Sequence, residues 1–239
     1  MTPQPRRRAL LVGTIAVLII NGCKPLRGPM APPLEATTVG QGERFEAGLP
    51  VYDEYFDTIH ELHGLVVGAE LQERDALATL ATMLNLLPTA PAEQILRKLR
   101  DRVPDLPAME LATDEGGDGK APSAKVSLAS KGWPKNDVKS MMMVLEATAS
   151  ANLGIASRMR DVPERAHRMH SLGKALVDTA DKDFSQEPPE RRAQIKQELE
   201  ASFEVLVLVA NRSRDVHQRT VQFVRDMRQA MTSSGTRAN

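Results

Sequence analysis

Cysteine is nearly absent from this chain of 239 residues: Cys23 stands alone. A single thiol cannot close an intramolecular disulfide, so no disulfide framework organises the fold. Aromatic residues are also scarce, at 3%, while Ala, Leu, Val and Met are plentiful. Sheets draw on aromatic and β-branched side chains, so this composition points to helices packed through small and aliphatic groups. Charge of one sign is missing as well. The 31 basic and 31 acidic residues balance, which leaves no basic field for nucleic acid and predicts no nucleic-acid partner. No apolar run reaches the roughly 20 residues of a spanning helix. The sequence contains no Gly-x-Ser-x-Gly elbow, no phosphate-cradling glycine loop and no His-Glu-x-x-His. Those absences point away from an enzyme.

The amino terminus is distinctive. Arg6, Arg7 and Arg8 precede an uncharged, mostly apolar stretch of twelve residues, Ala9 to Ile20. A basic start and a short apolar core are the parts of a secretory signal. Ile20-Asn21-Gly22-Cys23 follows. An aliphatic residue, a tolerant position, Gly or Ala, then Cys resembles the lipobox of bacterial lipoproteins. The resemblance covers residues 1–23. It implies cleavage between Gly22 and Cys23, a diacylglycerol on the Cys23 thiol and an acylated new amino group. It thus gives the lone cysteine a role as the covalent lipid site, with no other cofactor expected. Lys24-Pro25 place no Asp after the cysteine. By the sorting rule of enteric bacteria, that favours the outer membrane facing the periplasm.

Removing residues 1–22 leaves 217 residues, a length suited to one domain. Residues 23–48, with several Pro and Gly, read as a flexible tether. Residues 49–231 carry the helical patterns and 232–239 read as a disordered tail. Residues 107–132, centred on Asp114-Glu-Gly-Gly-Asp-Gly-Lys120, read as a flexible internal loop. The fold expected is all-α, a bundle of about five to six helices with a long carboxy-terminal helix.

The stripe Tyr52, Tyr55, Phe56, Ile59, Leu62, His63 and Val66 predicts a first helix from about Val51, with Gly64 and Gly68 weakening its end. A second is expected over 74–87, and a third opens at Pro91 and buries Ile95, Leu96 and Leu99. Helices are expected over 136–160 and 162–182, capped by Asn136 and Asp161. The longest pattern runs through Ile195, Leu199, Ser202, Leu206, Val209, Ser213, Val216, Thr220, Phe223, Met227 and Ala230, with no Pro or Gly over 190–231. That spacing makes a seam for two or more partner helices. The charged stretch Arg212 to Arg219 reads as a solvated face that could also meet lipid headgroups or an acidic partner. Met141-Met142-Met143 could offer an adaptable apolar surface, with core filling the weightier reading.

Four of the five histidines pair three apart, each pair preceded by an acid: Asp57-x-x-His60-x-x-His63 and Glu164-x-x-His167-x-x-His170. Neighbours at i and i+3 share a helix face, and Glu-x-x-His on facing helices holds metal pairs in ferritin-like bundles. His60, His63, His167 and His170 are therefore the candidate metal or haem ligands. His63 and His170 lie nearest their apolar stripes. The plainer reading makes them residues at the core boundary. The expected function is a membrane-anchored, non-catalytic envelope interaction or structural module. Its partners would be the membrane, through the lipid, and an envelope protein. A metal- or haem-binding bundle is the alternative, and the sequence leaves any small-molecule ligand open.

Overall fold

A computed structural model describes residues 44–102, 105–114, 116, 120–129 and 136–232. Cys23, Gly22, the leader, the tether to residue 43 and the tail from 233 lie outside the described residues. Among those described, the elements are α1 (Pro50–Met83), α2 (Ala92–Arg102), β1 (Met109–Asp114), β2 (Ser123–Leu128), α3 (Asn136–Met159), α4 (Val162–Asp183) and α5 (Pro189–Thr232). The protein is thus mostly helical, with five helices here and a 44-residue carboxy-terminal helix. At 1.5 Å per residue, α5 is about 66 Å long.

The direction of the helices follows from their cross-links. Tyr55 meets Ser202, Glu70 meets Arg212 and Glu73 meets Arg219, so α1 and α5 run parallel. Tyr52 meets Thr179 and Glu61 meets Arg165, so α4 runs antiparallel to both. α3 continues that antiparallel layer, broken from α4 at Arg160 and Asp161. The seam expected of α5 is buried at every position from Ile195 to Ala230.

Three expectations need correction. First, α1 is one helix of 34 residues rather than two. Each glycine costs about 1 kcal/mol against alanine, but the apolar stripe carries on through Leu62, Val66, Ala69, Leu77 and Leu80. Tertiary burial outweighs the two local penalties. α1 ends instead where Asn85 takes φ 59° and Leu86 N–H returns to Ala81 O at 2.9 Å, a left-handed helix stop. Second, the fold is not all-α, and 107–132 is not simply a loop. β1 and β2 pair antiparallel in the register Met109 with Leu128 through Asp114 with Ser123. Met109, Leu111, Ala124 and Val126 point inward and are buried. Both edges are occupied by side chains. Val126 N–H donates to Glu146 and Ala124 N–H to Ser150, both on α3, while Arg228 of α5 donates to Leu111 O. Third, Asp161 is the N-cap of α4 but makes no side-chain cap bond.

The end of the expected tether is also held in place. Arg44 pairs with Asp57, and Phe45 packs edge-on against Phe56 at 5.0 Å. Asp53 accepts from the Ala47 and Gly48 amides. Gly48 takes φ 92°, the left-handed turn that swings the chain into α1.

Candidate functional site: the histidine pairs and a buried charged layer

The four candidate histidines occupy different environments. His63 is buried, its Nε2 has no hydrogen-bond partner, and His60 is half-buried one turn earlier. Burial lowers the His63 pKa from its ordinary value. His60 and Arg212 push the same way, and Glu70 opposes them. His167 is exposed. His170 is half-buried and packs on the Phe203 ring at 4.9 Å. Its pKa is also lowered, by desolvation first and then by Lys174 and His167. The acids of the two motifs are engaged on the surface, Asp57 with Arg44 and Glu164 with Arg168. A shared ion would need nitrogens of both helices within about 2 Å of it. Among the described residues, no group of three or more His, Cys, Asp or Glu side chains gathers in a metal-ligating arrangement. The fifth histidine, His217, hydrogen-bonds through Nδ1 to Ala156 O at 2.8 Å, joining α5 to α3.

The charged layer beside His63 went unread in the sequence. Arg212 forks onto Glu70, Nε to Oε1 at 2.8 Å and Nη2 to Oε2 at 2.9 Å. About two turns further along α5, Arg219 forks onto Glu73 at 3.3 and 2.9 Å. Bidentate pairs of this kind combine charge with geometric specificity. Both side chains of the first pair are largely buried, and Glu73 is the more enclosed of the two carboxylates. For Arg219, burial lowers the pKa, but Glu73, Glu70 and Asp215 more than offset this and hold it above the ordinary value. Arg212 and Arg219 therefore turn inward onto α1 rather than belonging to a solvated face. The available signal was phase: Glu73 falls on the inward stripe Val66, Ala69, Glu73, Leu77, Leu80.

Uncharged polar residues complete the layer. Asn152, Thr148, Ser213 and Thr220 are all buried. Asn152 Nδ2 donates to Thr148 O at 2.8 Å, and its Oδ1 has no partner. The hydroxyls of Ser213 and Thr220 donate back to carbonyls of their own helix. Beside this layer a groove of about 790 Å³ runs between α1 and α3, floored by small residues such as Ala76, Ala151 and Gly154. The arrangement aligns helices; its ionised groups are committed to one another.

Met141 fills the core, Met142 is half-buried and Met143 is exposed, which favours core filling. No helix among the described residues is long and apolar enough to cross a membrane. Comparison of the chain with protein-family models, with curated proteins and with solved structures finds no match.

Proposed function

We propose that this chain is a lipid-anchored protein of the bacterial envelope, held by acylated Cys23, whose helical bundle serves as a non-catalytic interaction or structural module. The observation that carries the reading is the leader itself: three arginines, a short apolar core and Ile-Asn-Gly immediately before the only cysteine. Acyl chains contribute about 0.8 kcal/mol per buried CH₂, and two or more chains anchor stably where one does not. Lipid at Cys23 would therefore hold the bundle at a membrane without help from its helices. The charged layer supports a scaffold role, since its acids and arginines are paired with each other. Absence of Asp after Cys23 supports the outer membrane as destination.

The test is metabolic labelling with an alkyne palmitate analogue, followed by mass spectrometry of the amino-terminal peptide and membrane fractionation. The expected result is a labelled chain beginning at acylated Cys23, and an unlabelled Cys23→Ser variant that loses its membrane association. A Cys23→Ser protein as fully membrane-bound as the original, or a mature terminus elsewhere, would overturn the reading.

A further inference from the structure

α1 turns one face away from the rest of the bundle. On a helical wheel at 100° per residue, Gly64, Val67, Gly68 and Leu71 fall within about 100° of one another. They lie opposite the buried stripe that runs through Tyr55, Leu62, Val66, Ala69, Glu73 and Leu80. Leu71 is 43% exposed, Gly64 is exposed, and Val67 and Gly68 are half-buried. A Cβ at either glycine would meet no atom within 4 Å. Gly173 is the contrast, since there the Tyr55 phenol and the Phe203 ring fill the space of the missing side chain. Gly64 and Gly68 thus do nothing for the packing of their own bundle, and alanine would hold the helix better at both. Two glycines four apart, flanked by aliphatic side chains, are what a helix presents when a second helix comes close to its backbone.

The edges of this face carry opposite charge. On the same wheel Glu61 and Asp75 lie along one edge, and His60 and Arg74 along the other. Among the described residues, Arg74 and Asp75 make no ion pair. Glu61 meets Arg165 through one oxygen only, at 3.4 Å on the surface. These edges decide what covers the face. A two-fold axis parallel to α1 sets the acidic edge of one copy against the basic edge of the other at the same level. Asp75 then faces the partner's Arg74, Glu61 faces the partner's His60, and Leu71 meets the partner's Leu71 on the axis. An antiparallel pair would set acid against acid and base against base. A two-fold interface must be complementary to itself, and only the parallel arrangement satisfies this.

We propose that the protein pairs with a second copy of itself through the outer face of α1, as a parallel two-fold dimer. Gly64 and Gly68 let the two helices meet at their backbones, and Asp75 of each copy pairs with the partner's Arg74. The face from His60 to Ala78 is about 28 Å long. One helix strip of that length buries less than the roughly 1,200 Å² of a standard interface, so the dimer is a weak one, in the micromolar range. Parallel pairing also brings Arg44 of both copies to one end, as two anchors in one membrane require. That last point alone rests on the lipid reading, and the pairing is tested without the lipid.

Full-length Cys23→Ser protein in mild detergent, followed by sedimentation equilibrium from low to several-hundred micromolar, is expected to show a monomer–dimer equilibrium. Gly68→Leu should weaken association at least tenfold while leaving helical circular dichroism unchanged and the melting temperature of dilute protein no lower. Arg74→Glu, a change of one exposed side chain, should also weaken it at least tenfold. Mild oxidation should link Leu71→Cys to itself, and should not link Val207→Cys, on the outer side of α5. In an antiparallel pair centred between the glycines, the two copies of residue 71 would lie about 15 Å apart along the axis, beyond the roughly 7 Å between Cα atoms that a disulfide spans. A monomer throughout the range, as when residues 1–43 or a lipid surface cover the face instead, would overturn the proposal. So would association that survives both Gly68→Leu and Arg74→Glu, or a Leu71→Cys protein that dimerises without linking. If Gly68→Leu does not fold, Arg74→Glu and the oxidation of Leu71→Cys still decide the matter.

Discussion

The pair Glu73–Arg219 offers the sharpest test of how the bundle is held. Glu73 is 6% and Arg219 36% exposed at the side chain. Breaking a buried pair from one side costs about 3–5 kcal/mol, because a charge is left without compensation, whereas replacing both partners with apolar residues is often neutral. The two single changes should therefore differ. Arg219→Met keeps most of the stem but strands an enclosed carboxylate, so it should cost about 3 kcal/mol at neutral pH. Glu73→Met strands a guanidinium that can turn its head toward water, and about 1–2 kcal/mol is the expected loss. The double variant should lie within about 1 kcal/mol of the original. The resulting coupling energy would be about 3–5 kcal/mol. Guanidinium denaturation followed by helical circular dichroism measures all four proteins. Additivity within about 0.5 kcal/mol, with both single changes near zero, would show the pair behaving as a surface bridge and refute the reasoning.

His63 gives a second expectation, in pH. Its folded-state pKa lies below the unfolded value, so its contribution to stability is full above about pH 6.5 and is lost as pH falls through the folded value, at up to about 1.4 kcal/mol per pH unit. Denaturation at pH 7.5 and 5.5 should show wild type losing more stability than His63→Gln; equal losses would remove His63 from the account. Gly173→Ala should destabilise by about 1–3 kcal/mol through overpacking, since the added methyl group meets the Phe203 ring at 2.7 Å and the Tyr55 phenol closer still. A melting temperature equal to wild type would show that this contact is not tight.

The helical half of the fold was legible because α4 and α5 repeat one signal many times. The seam from Ile195 to Ala230 supplies eleven positions in phase, and all are buried. Ile95, Leu96 and Leu99 of α2 were equally readable. The hairpin was not, although Met109-Glu-Leu-Ala-Thr and Ala124-Lys-Val alternate as strands do. Each alternation is brief, and the glycines between them dominate the composition of the window. Its stability comes from Glu146, Ser150 and Arg228, which lie on other helices and far along the chain. Gly64 and Gly68 misled in the opposite direction. Local propensity marked an end to α1 that long-range burial overrode.

The charged layer shows where phase and residue type compete. Glu and Arg are almost never fully buried unless paired, so type alone assigns them to solvent. Phase alone puts Glu73 inside, seven residues after Val66 and seven before Leu80. Neither rule decides the matter within one helix, because the deciding fact is whether the facing helix offers the opposite charge at the same level. Arg212 and Arg219 do so, seven apart along α5 and flanking the inward positions Ser213 and Thr220. The spacing of three between Glu70 and Glu73 does not match that seven. The pair of bridges therefore fits one parallel alignment of α1 and α5. A slip of one heptad would carry Arg219 to the level of Glu70 and leave Glu73 facing no arginine. An aliphatic seam with a seven-residue repeat tolerates such a slip. The charges oppose it, which is a reason to keep an arrangement that apolar side chains could replace without loss of stability.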